Sequence, residues 1–381
     1  MDHLLSAEES AHHSSLTELI RKTWHEEAAG WERSQELPEH VIAWCAEQGL
    51  LGAALPRSAG GGGWSAIETG LMYEALGRIS ASLASLVNVH GMAAQTVLKW
   101  GTEQQRAGLG AHLAAGRRIA AICMTEQHAG SDLAAIKTSV TERQGKLVLN
   151  GTKVFITFGG RADVFLIFAQ HGGQSTACLV DRENPGLSTY PMGETLGLRA
   201  ASLARVELRD CVIDRDAAVG RDGFALPVLV PLALEHGRHA VAWMATGMLQ
   251  ACLDACASYA GERQAFGRAL VEHGQVQTLL TRMATDLEAA RHLSVAASRA
   301  LDAGDPAATE RVLMAKYFAC RAAEEHTAQA VQLLASRGVL EDGGLARHYR
   351  DSKVLNILEG TTQIIERLLA PGLVHAAGRR R

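Results

Sequence analysis

The chain has 381 residues and a formal net charge of -4; 47% of its residues are hydrophobic and 20% are charged. This length is sufficient for a large core and predicts two or three domains. The slightly acidic balance argues against nucleic acid or an anionic membrane as the main partner, because both require a basic surface. The basic run at residues 379–381 is typical of a solvated chain end.

The first ten residues carry acidic side chains and lack an apolar segment followed by a cleavage site, which predicts neither a signal nor a transit peptide. The apolar runs fall well short of the roughly 18 residues that a membrane-spanning helix needs. The seven cysteines are scattered, and Cys252 and Cys256 would share a helix face, a pattern that favours buried thiols. We therefore expect a cytoplasmic protein with no membrane partner.

Residues 16–116 have a helical pattern, because apolar residues recur at threes and fours between turn signals at 37–38 and 58–63. The four glycines at 60–63 do not form a phosphate-binding loop, since no Lys-Ser or Lys-Thr pair follows them. The sequence predicts an N-terminal α-helical domain over residues 1–118.

The pattern changes near residue 118 to short apolar runs bounded by Asn, Gly, Asp and Pro. The pair Asn150-Gly151 predicts a hairpin turn between strands at 146–149 and 153–157. Residues 205–209 alternate as a half-exposed strand does. We expect a middle domain of antiparallel strands over residues 119–226.

From residue 227 onward the pattern predicts long helices and a C-terminal four-helix bundle over residues 227–381. A break at 302–306 separates two of them. No G-x-G-x-x-G follows a strand, so a Rossmann-type dinucleotide site is not predicted. The fold class is α+β, in the order helices, strands, helices. One apolar stripe at helical spacing comprises Met283, Leu287, Ala290, Ser294, Ala297 and Leu301.

Residues 123–132, with the sequence CMTEQHAGSD, contain a Thr, a Gly and a Ser in a loop that leaves a strand. Such residues offer hydroxyl and backbone N–H donors without bulk, which suits a flavin edge and a pyrophosphate. The same composition is common in ordinary polar turns, so this stretch alone favours neither interpretation. With Ala135 it resembles the first signature of the acyl-CoA dehydrogenase family, except that Gln127-His128 replaces the usual Pro.

Two further stretches resemble the same family. Residues 332–338, with Asp342, Arg347 and Asp351, are similar to its second signature, although Ala335 stands where Gly is usual. Residues 357–363, with the sequence ILEGTTQ, resemble the segment that carries the family's catalytic carboxylate. The resemblance implies that Glu359 is the catalytic base. Taken alone, Glu359-Gly360-Thr361 is more typical of one helix ending and another beginning than of a catalytic base.

The chemistry explains why a carboxylate is expected there. Removing hydrogens from Cα and Cβ of a thioester requires a base at Cα and a hydride acceptor at Cβ, which the resemblance identifies as flavin N5. A Glu in a dry cleft has its pKa raised towards the range useful for a carbon acid. Gly360 would let the backbone approach the thioester carbonyl. Some relatives carry their base at the position of Gly237, so Glu359 has no rival here.

Residues 153–157 resemble the family strand that covers one flavin face, with Phe155 as the stacking aromatic and Thr157 beside N5. The pattern R-x-x-F-G at 263–267 resembles the element whose Arg binds a pyrophosphate across a subunit interface. The segment 235–238 resembles the one that lines the substrate site. The implied substrate-binding residues are Ser131, Glu235, Arg238 and Gly360. The implied flavin-binding residues are Ile122, Met124, Thr125, Ser131, Phe155, Ile156, Thr157, Arg263, Phe266, Gln332, Ala335, Ser336, Thr361 and Gln363.

The resemblance covers almost the whole chain and implies a three-domain subunit with FAD, assembled as a homodimer or homotetramer. It implies an acyl thioester substrate, and an electron-transferring flavoprotein or another electron acceptor. Gly274 departs from the family, where a flavin-contacting Gln is common at this position. No metal is expected, because His128 has no second ligand at a suitable spacing.

The acyl carrier stays open between coenzyme A and an acyl carrier protein. Residues 241–247 and 333–336 resemble relatives in polyketide pathways, which oxidise a carrier-bound hydroxyacyl group such as glyceryl. Two other hypotheses stay open. One is a flavin-binding or flavin-free scaffold that has lost catalysis, and the other is an oxygen-using oxidase or monooxygenase of the same fold.

Overall fold

The computed structural model describes residues 3–341 and 344–378. Asp342 of the second signature and the basic run at 379–381 lie outside the described residues. Within the described parts, a helical region, a β region and a second helical region follow one another in the predicted order.

The N-terminal region consists of helices, as predicted. Three of them begin with a capping box, in which two residues satisfy each other's backbone N–H groups: Ser6 with Glu9, Ser65 with Glu68, and Thr102 with Gln105. The apolar faces of the helices that follow Ser6 and Ser65 share one core that also includes Trp243 from the C-terminal region. The helices are α1 (Ala7–Trp24), α2 (Ala28–Ser34), α3 (Glu39–Glu47), α4 (Ala66–Ile79), α5 (Ala81–Trp100), α6 (Glu103–Gln105) and α7 (Ala111–Ala114).

The middle region is a seven-stranded sheet. Six strands follow the order β1-β4-β2-β3-β7-β6, and the seventh, β5, also pairs with β4. Most neighbours are antiparallel, as expected, but β1 and β2 both pair with β4 in parallel. The strands are β1 (Ala120–Cys123), β2 (Ser139–Arg143), β3 (Lys146–Ile156), β4 (Val164–His171), β5 (Gln174–Asp181), β6 (Leu187–Pro191) and β7 (Ala204–Ile213).

The hairpin predicted at Asn150-Gly151 is wrong, because β3 runs straight through both residues. The register of β3 against β7 shifts between Leu149 and Gly151, which is a bulge and not a turn. The Asn150 side chain accepts a hydrogen bond of 2.8 Å from the backbone N–H of Asp210 across the bulge. The turn between β2 and β3 lies instead at Gln144-Gly145, both with positive φ.

The C-terminal region is built from long helices, as predicted, with a small hairpin between the first two. The stripe from Met283 to Ala297 is buried, and the break at 302–306 separates α9 from α10. Cys252 and Cys256 are buried free thiols, which confirms that prediction. The elements are α8 (Val230–Glu262), β8 (Gln264–Ala265), β9 (Arg268–Ala269), α9 (Gly274–Asp302), α10 (Ala308–Leu334), α11 (Leu345–Leu355) and α12 (Thr362–Gly378).

One helix of the described chain, from Ala225 to Glu262, is long and apolar enough to cross a membrane, with a mean hydropathy of 1.2 over 18 residues. However, 67% of that window is buried inside the protein. This burial is expected of a core helix, since α8 packs against α4, α5, α9 and α10.

Contacts at residues 197–199 join the three regions. Glu32 of α2 accepts a hydrogen bond of 3.0 Å from the Arg199 N–H, and Asp351 of α11 accepts one of 2.7 Å from the Leu198 N–H. A Cβ on Gly197 would lie 2.7 Å from the Arg350 carbonyl carbon, so only glycine permits this approach. The β region is therefore held between two helical regions.

Candidate active site

Glu359 lies in the turn between α11 and α12, with its backbone in the left-handed region. Its φ is 55° and that of the following Gly360 is 99°. A non-glycine residue in this conformation costs of order 1–3 kcal/mol and persists only where its surroundings fix it. The turn is therefore held in place by neighbouring groups.

The carboxyl group of Glu359 occupies a notch on α8 that the absence of a side chain at Gly237 creates. A Cβ on Gly237 would lie 2.7 Å from Cδ and 2.8 Å from Oε2 of Glu359. The same Cβ would lie 3.0 Å from Sδ of Met92 on α5, so the carboxyl group packs between α5 and α8. The two positions that the family resemblance offers for a base, 237 and 359, thus meet in space.

The surroundings of Glu359 determine its proton affinity. Burial raises its pKa from the ordinary 4.5 to about 7. The positive charges of Arg238 and Lys316, and a hydrogen bond from the Asn88 side chain, act in the opposite direction. A carboxyl group with a pKa near neutral is suited to accept a proton from carbon and to release it again.

Two buried cations bind the main chain of the turn. Arg238 of α8 donates from Nε to the Glu359 carbonyl at 2.9 Å, and Lys316 of α10 donates from Nζ to the Gly360 carbonyl at 2.7 Å. Sequence reasoning assigned Arg238 to the substrate site and missed Lys316. The signal for Lys316 was a lone Lys on the otherwise apolar face of α10, where Val312, Ala315 and Ala319 are also buried.

The loop after β1 is organised by a buried ion pair that sequence reasoning also missed. Glu126 accepts hydrogen bonds from Lys153 Nζ at 2.8 Å and from Thr138 Oγ1 at 2.6 Å. Burial acts to raise the pKa of Glu126, but these hydrogen bonds outweigh it and hold the pKa at about 2. Lys153 also donates to the Met124 carbonyl at 3.0 Å, which ties the loop to β3.

The end of β3 presents an aromatic ring outside the core. Phe155 has φ 57°, and 56% of its side chain is exposed, next to a bulge between Lys153 and Ile156. The Val154 N–H donates to the Thr125 carbonyl at 3.0 Å, so Phe155 and Thr157 lie beside the loop of the first signature. An exposed aromatic ring can stack on the face of a flavin.

A second group of predicted flavin residues lies elsewhere. Arg263 follows α8, and Phe266, which is 96% exposed with φ 53°, lies at the tip of the β8–β9 hairpin. Arg263 is separated from Arg238 by the rest of α8, about 37 Å at 1.5 Å per residue. Gln332, Ala335 and Ser336, at the end of α10, are also exposed.

The remaining predicted residues divide by exposure: Ser131 and Gln363 are exposed, Met124 and Ile156 are buried, and Ile122, Thr361 and Glu235 are half-buried. Glu235 lies on another face of α8 than Gly237 and bonds to Thr309. There it lines a cavity of about 160 Å³ with Gln95 and His236. These placements leave the individual binding roles as predictions.

His236 forms part of a buried polar network that sequence reasoning did not anticipate. Its ring is hydrogen-bonded to Tyr73 Oη at 3.2 Å and to Gln95 Nε2 at 3.1 Å. Burial lowers the pKa of His236 to about 4, so it is neutral at physiological pH. A separate group with ligand spacing, His3, Glu288 and His292, lies on the surface of the described chain.

Comparison with known proteins identifies the family. The acyl-CoA dehydrogenase N-terminal domain matches residues 6–117, the middle domain residues 121–211, and the C-terminal domain residues 228–374. The chain belongs to the acyl-CoA dehydrogenase family. This confirms the family and the three-region fold that the sequence predicted. An acyl-CoA dehydrogenase of Bacillus subtilis is 32% identical over 345 residues, which cover 87% of this chain and 89% of that protein.

Two solved structures of acyl-CoA dehydrogenase relatives are informative. FkbI, described as acting in biosynthesis of the methoxymalonyl extender unit of the FK520 polyketide, is 31% identical with a TM-score of 0.87, covering 96% of this chain and 99% of FkbI. A glutaryl-CoA dehydrogenase of Mycobacterium smegmatis in complex with FADH2 is 25% identical with a TM-score of 0.93, covering 98% and 96%.

The acyl-CoA dehydrogenase family is FAD-dependent, and its members are oxidoreductases that act on CH–CH groups. This chain is therefore an FAD-dependent dehydrogenase of acyl thioesters, which confirms the predicted cofactor and enzyme class. The exposed Phe155 and the loop around Thr125 fit that cofactor.

Proposed function

We propose that Glu359 is the base that takes the α-proton of an acyl thioester in this enzyme. The observation that carries the proposal is the position of its carboxyl group in the Gly237 notch, with a pKa raised to about 7. The ionised carboxylate takes the proton from Cα while the C–H bond at Cβ breaks and its hydride leaves with two electrons. FAD, when bound, accepts that hydride at N5. The thioester is thereby oxidised to its α,β-unsaturated form.

Glu359→Gln tests the assignment. The amide has nearly the same shape but accepts no proton, so the variant should retain FAD and lose substrate-dependent bleaching of the flavin by roughly 10²–10⁴-fold. Glu366→Gln is a matched control, because Glu366 is an exposed residue of α12. Full-rate bleaching in Glu359→Gln would show that the base is another group.

The enzyme is further proposed to act as a homodimer or homotetramer. Arg263 and Phe266 are exposed. Arg263 lies about 37 Å along α8 from Arg238, which binds the main chain of Glu359. This distance supports the family expectation that they contact the flavin of a neighbouring subunit. Size-exclusion chromatography with light scattering measures the assembly. Arg263→Ala should lower the FAD content per subunit, and a monomer with full FAD content would contradict this proposal.

A second candidate substrate is a hydroxyacyl group, such as glyceryl, on an acyl carrier protein. The 31% identity to FkbI over 96% of this chain supports it. In this reaction the hydride leaves a carbon that bears a hydroxyl group, the hydroxyl proton goes to the base, and a carbonyl forms. Anaerobic bleaching of the flavin by carrier-bound thioesters, but not by acyl-CoAs, would favour this candidate. Bleaching by acyl-CoAs would favour metabolic oxidation.

The electron acceptor is proposed to be an electron-transferring flavoprotein, as the family resemblance implies. Reoxidation of the reduced enzyme by such a flavoprotein should then be faster than by dissolved oxygen. Steady release of peroxide without an added acceptor would instead identify an oxidase.

A further inference from the structure

Lys316 is a buried cation without a carboxylate partner. It lies on α10, and only 1% of its side chain is exposed. In the described part of the chain its ammonium group forms one hydrogen bond, to the Gly360 carbonyl at 2.7 Å, and no ion pair. Burying a charge with so few partners is costly, so a shape-matched apolar residue at this position would favour folding more.

The one acceptor of Lys316 belongs to the turn that carries Glu359. Glu359 and Gly360 both have left-handed backbones, and their carbonyl groups point at two different helices. Arg238 on α8 binds the first carbonyl, and Lys316 on α10 binds the second. Without the hydrogen bond from Lys316, the turn would keep its strained backbone and lose one of the two side chains that hold it in place.

Lys316 also contributes charge to the site. Its cation acts to lower the pKa of Glu359, as does that of Arg238, against the raising effect of burial. The groups that act on Lys316 and Glu359 are Arg238 of α8, Cys320 of α10 and Asn88 of α5. Glu235 of α8 acts in turn on Arg238. Of these, Arg238 and Lys316 are the cations that act on Glu359.

We propose that Lys316 is a positioning residue for the base: it holds the turn by binding the Gly360 carbonyl and places a cation near the Glu359 carboxyl group. The inference rests on the proposed role of Glu359. It gives α10, which carries none of the predicted groups near Glu359, a part in proton transfer.

Two substitutions of Lys316 separate the effect of its hydrogen bond to Gly360 from the effect of its positive charge. Lys316→Gln removes the charge and keeps an amide donor for the Gly360 carbonyl, whereas Lys316→Met removes both. In each purified holoenzyme, the rate of anaerobic flavin bleaching by substrate is measured between pH 5 and 9. FAD content and thermal unfolding are measured on the same samples. Lys353→Met is the control, because Lys353 is exposed and pairs with Glu324 at the surface.

Both Lys316 variants should need a higher pH to reach half of their limiting rate, because the carboxylate loses a neighbouring cation. A shift of one pH unit corresponds to roughly a tenfold loss of rate well below the midpoint. The limiting rate at high pH should fall in Lys316→Met and fall less in Lys316→Gln. Lys353→Met should match the unmodified enzyme in midpoint and in rate.

An unchanged pH midpoint in Lys316→Gln would overturn the inference. If Lys316→Met does not fold, Lys316→Gln decides alone, since its side chain keeps a hydrogen-bond donor. Failure of the inference is distinct from failure of the proposed function. In the first case Glu359→Gln is inactive and the Lys316 midpoints are unchanged; in the second case Glu359→Gln bleaches normally.

Discussion

At the scale of the residue, the site depends on a pair of positions that exclude each other. Glu359 reaches the surface of α8 only because Gly237 has no side chain. The sequence motif around residues 357–363 predicted that Glu359 is the base, and the glycine at 237 was recognised as the position without a competing carboxylate. Only the folded structure shows that the space left by Gly237 holds the Glu359 carboxyl group, because the two residues are far apart in the sequence.

Gly237→Ala should therefore displace the carboxyl group of the proposed base, Glu359. The added Cβ would lie 2.7 Å from Glu359 Cδ, and misplacing a catalytic group by about 1 Å costs roughly 10²-fold in rate. Rapid-mixing measurements of flavin bleaching should show this loss with FAD still bound. Gly30→Ala is the control, because no atom lies within 4 Å of its added Cβ. An unimpaired Gly237→Ala enzyme would show that the notch is not where Glu359 acts.

Lys316 shows the limit of reading residues one at a time. Its place on the apolar face of α10 is a local signal of burial. Its partner, the Gly360 carbonyl, lies 44 positions away in the sequence, and no local pattern indicates that contact. Lys153 is similar, since its partner Glu126 lies 27 residues away. Both were placed in helical or strand patterns, but their contacts are a property of the tertiary structure.

At the scale of the element, local signals predicted the two helical regions and were misleading once in the sheet. The pair Asn150-Gly151 has the composition of a two-residue turn, yet the long-range pairing of β3 with β7 extends through it. Gly151 is needed because a Cβ there would lie 2.4 Å from Thr138 Oγ1. Tertiary packing, which the local sequence pattern does not encode, therefore keeps residues 150 and 151 in a strand.

The end of α10 gives a prediction at this scale. Ala335 has φ 51° and ψ -128°, a conformation that glycine adopts more readily, and it is the position where related sequences usually carry Gly. Glycine relieves the backbone strain of the folded state, and it also increases the conformational entropy of the unfolded chain, which acts against stability. We expect the first effect to be larger, so Ala335→Gly should raise the free energy of unfolding by about 1 kcal/mol.

Chemical or thermal unfolding of the holoenzyme measures this effect. Ala303→Gly is the matched control, because Ala303 ends α9 with φ -81° and should lose about 0.5–1 kcal/mol on the same change. A destabilised Ala335→Gly variant would show that the backbone at 335 is not strained.

At the scale of the whole molecule, the order of the three regions was predicted from the sequence, but the contacts that join them were not. Asp351 is fully buried at the junction, and its Oδ2 has no hydrogen-bond partner in the described chain. Burial and the nearby Glu32 raise the pKa of Asp351 to about 7. The residues that meet here are Glu32, Leu198 and Asp351, which are too far apart in sequence for any motif to connect them.

The junction should make stability depend on pH. Because the folded-state pKa of Asp351 is raised above its ordinary 3.8, the folded protein holds a proton that the unfolded chain releases, and stability falls as pH rises from about 4 to 7. Asp351→Asn retains the acceptor for the Leu198 N–H and does not ionise, so its stability should fall less over this range.

The free energy of unfolding, measured at pH 5 and pH 8 for the unmodified protein and for Asp351→Asn, tests this prediction. Glu359 contributes in the same direction and is unchanged in both proteins. Asp216→Asn, at an exposed position, should keep the full pH dependence. An Asp351→Asn variant with the same dependence as the unmodified enzyme would mean that Asp351 is ionised in the folded state.

The most direct test of the central claim is the pH dependence of flavin reduction by an acyl thioester, measured anaerobically in the unmodified enzyme and in Glu359→Gln. A base acts when deprotonated, so the rate should rise with pH through a midpoint near 7, the raised pKa of Glu359. Glu359→Gln should bind FAD and show almost no reduction at any pH. A rate that does not depend on pH, or substrate-dependent bleaching that survives in Glu359→Gln, would contradict the account.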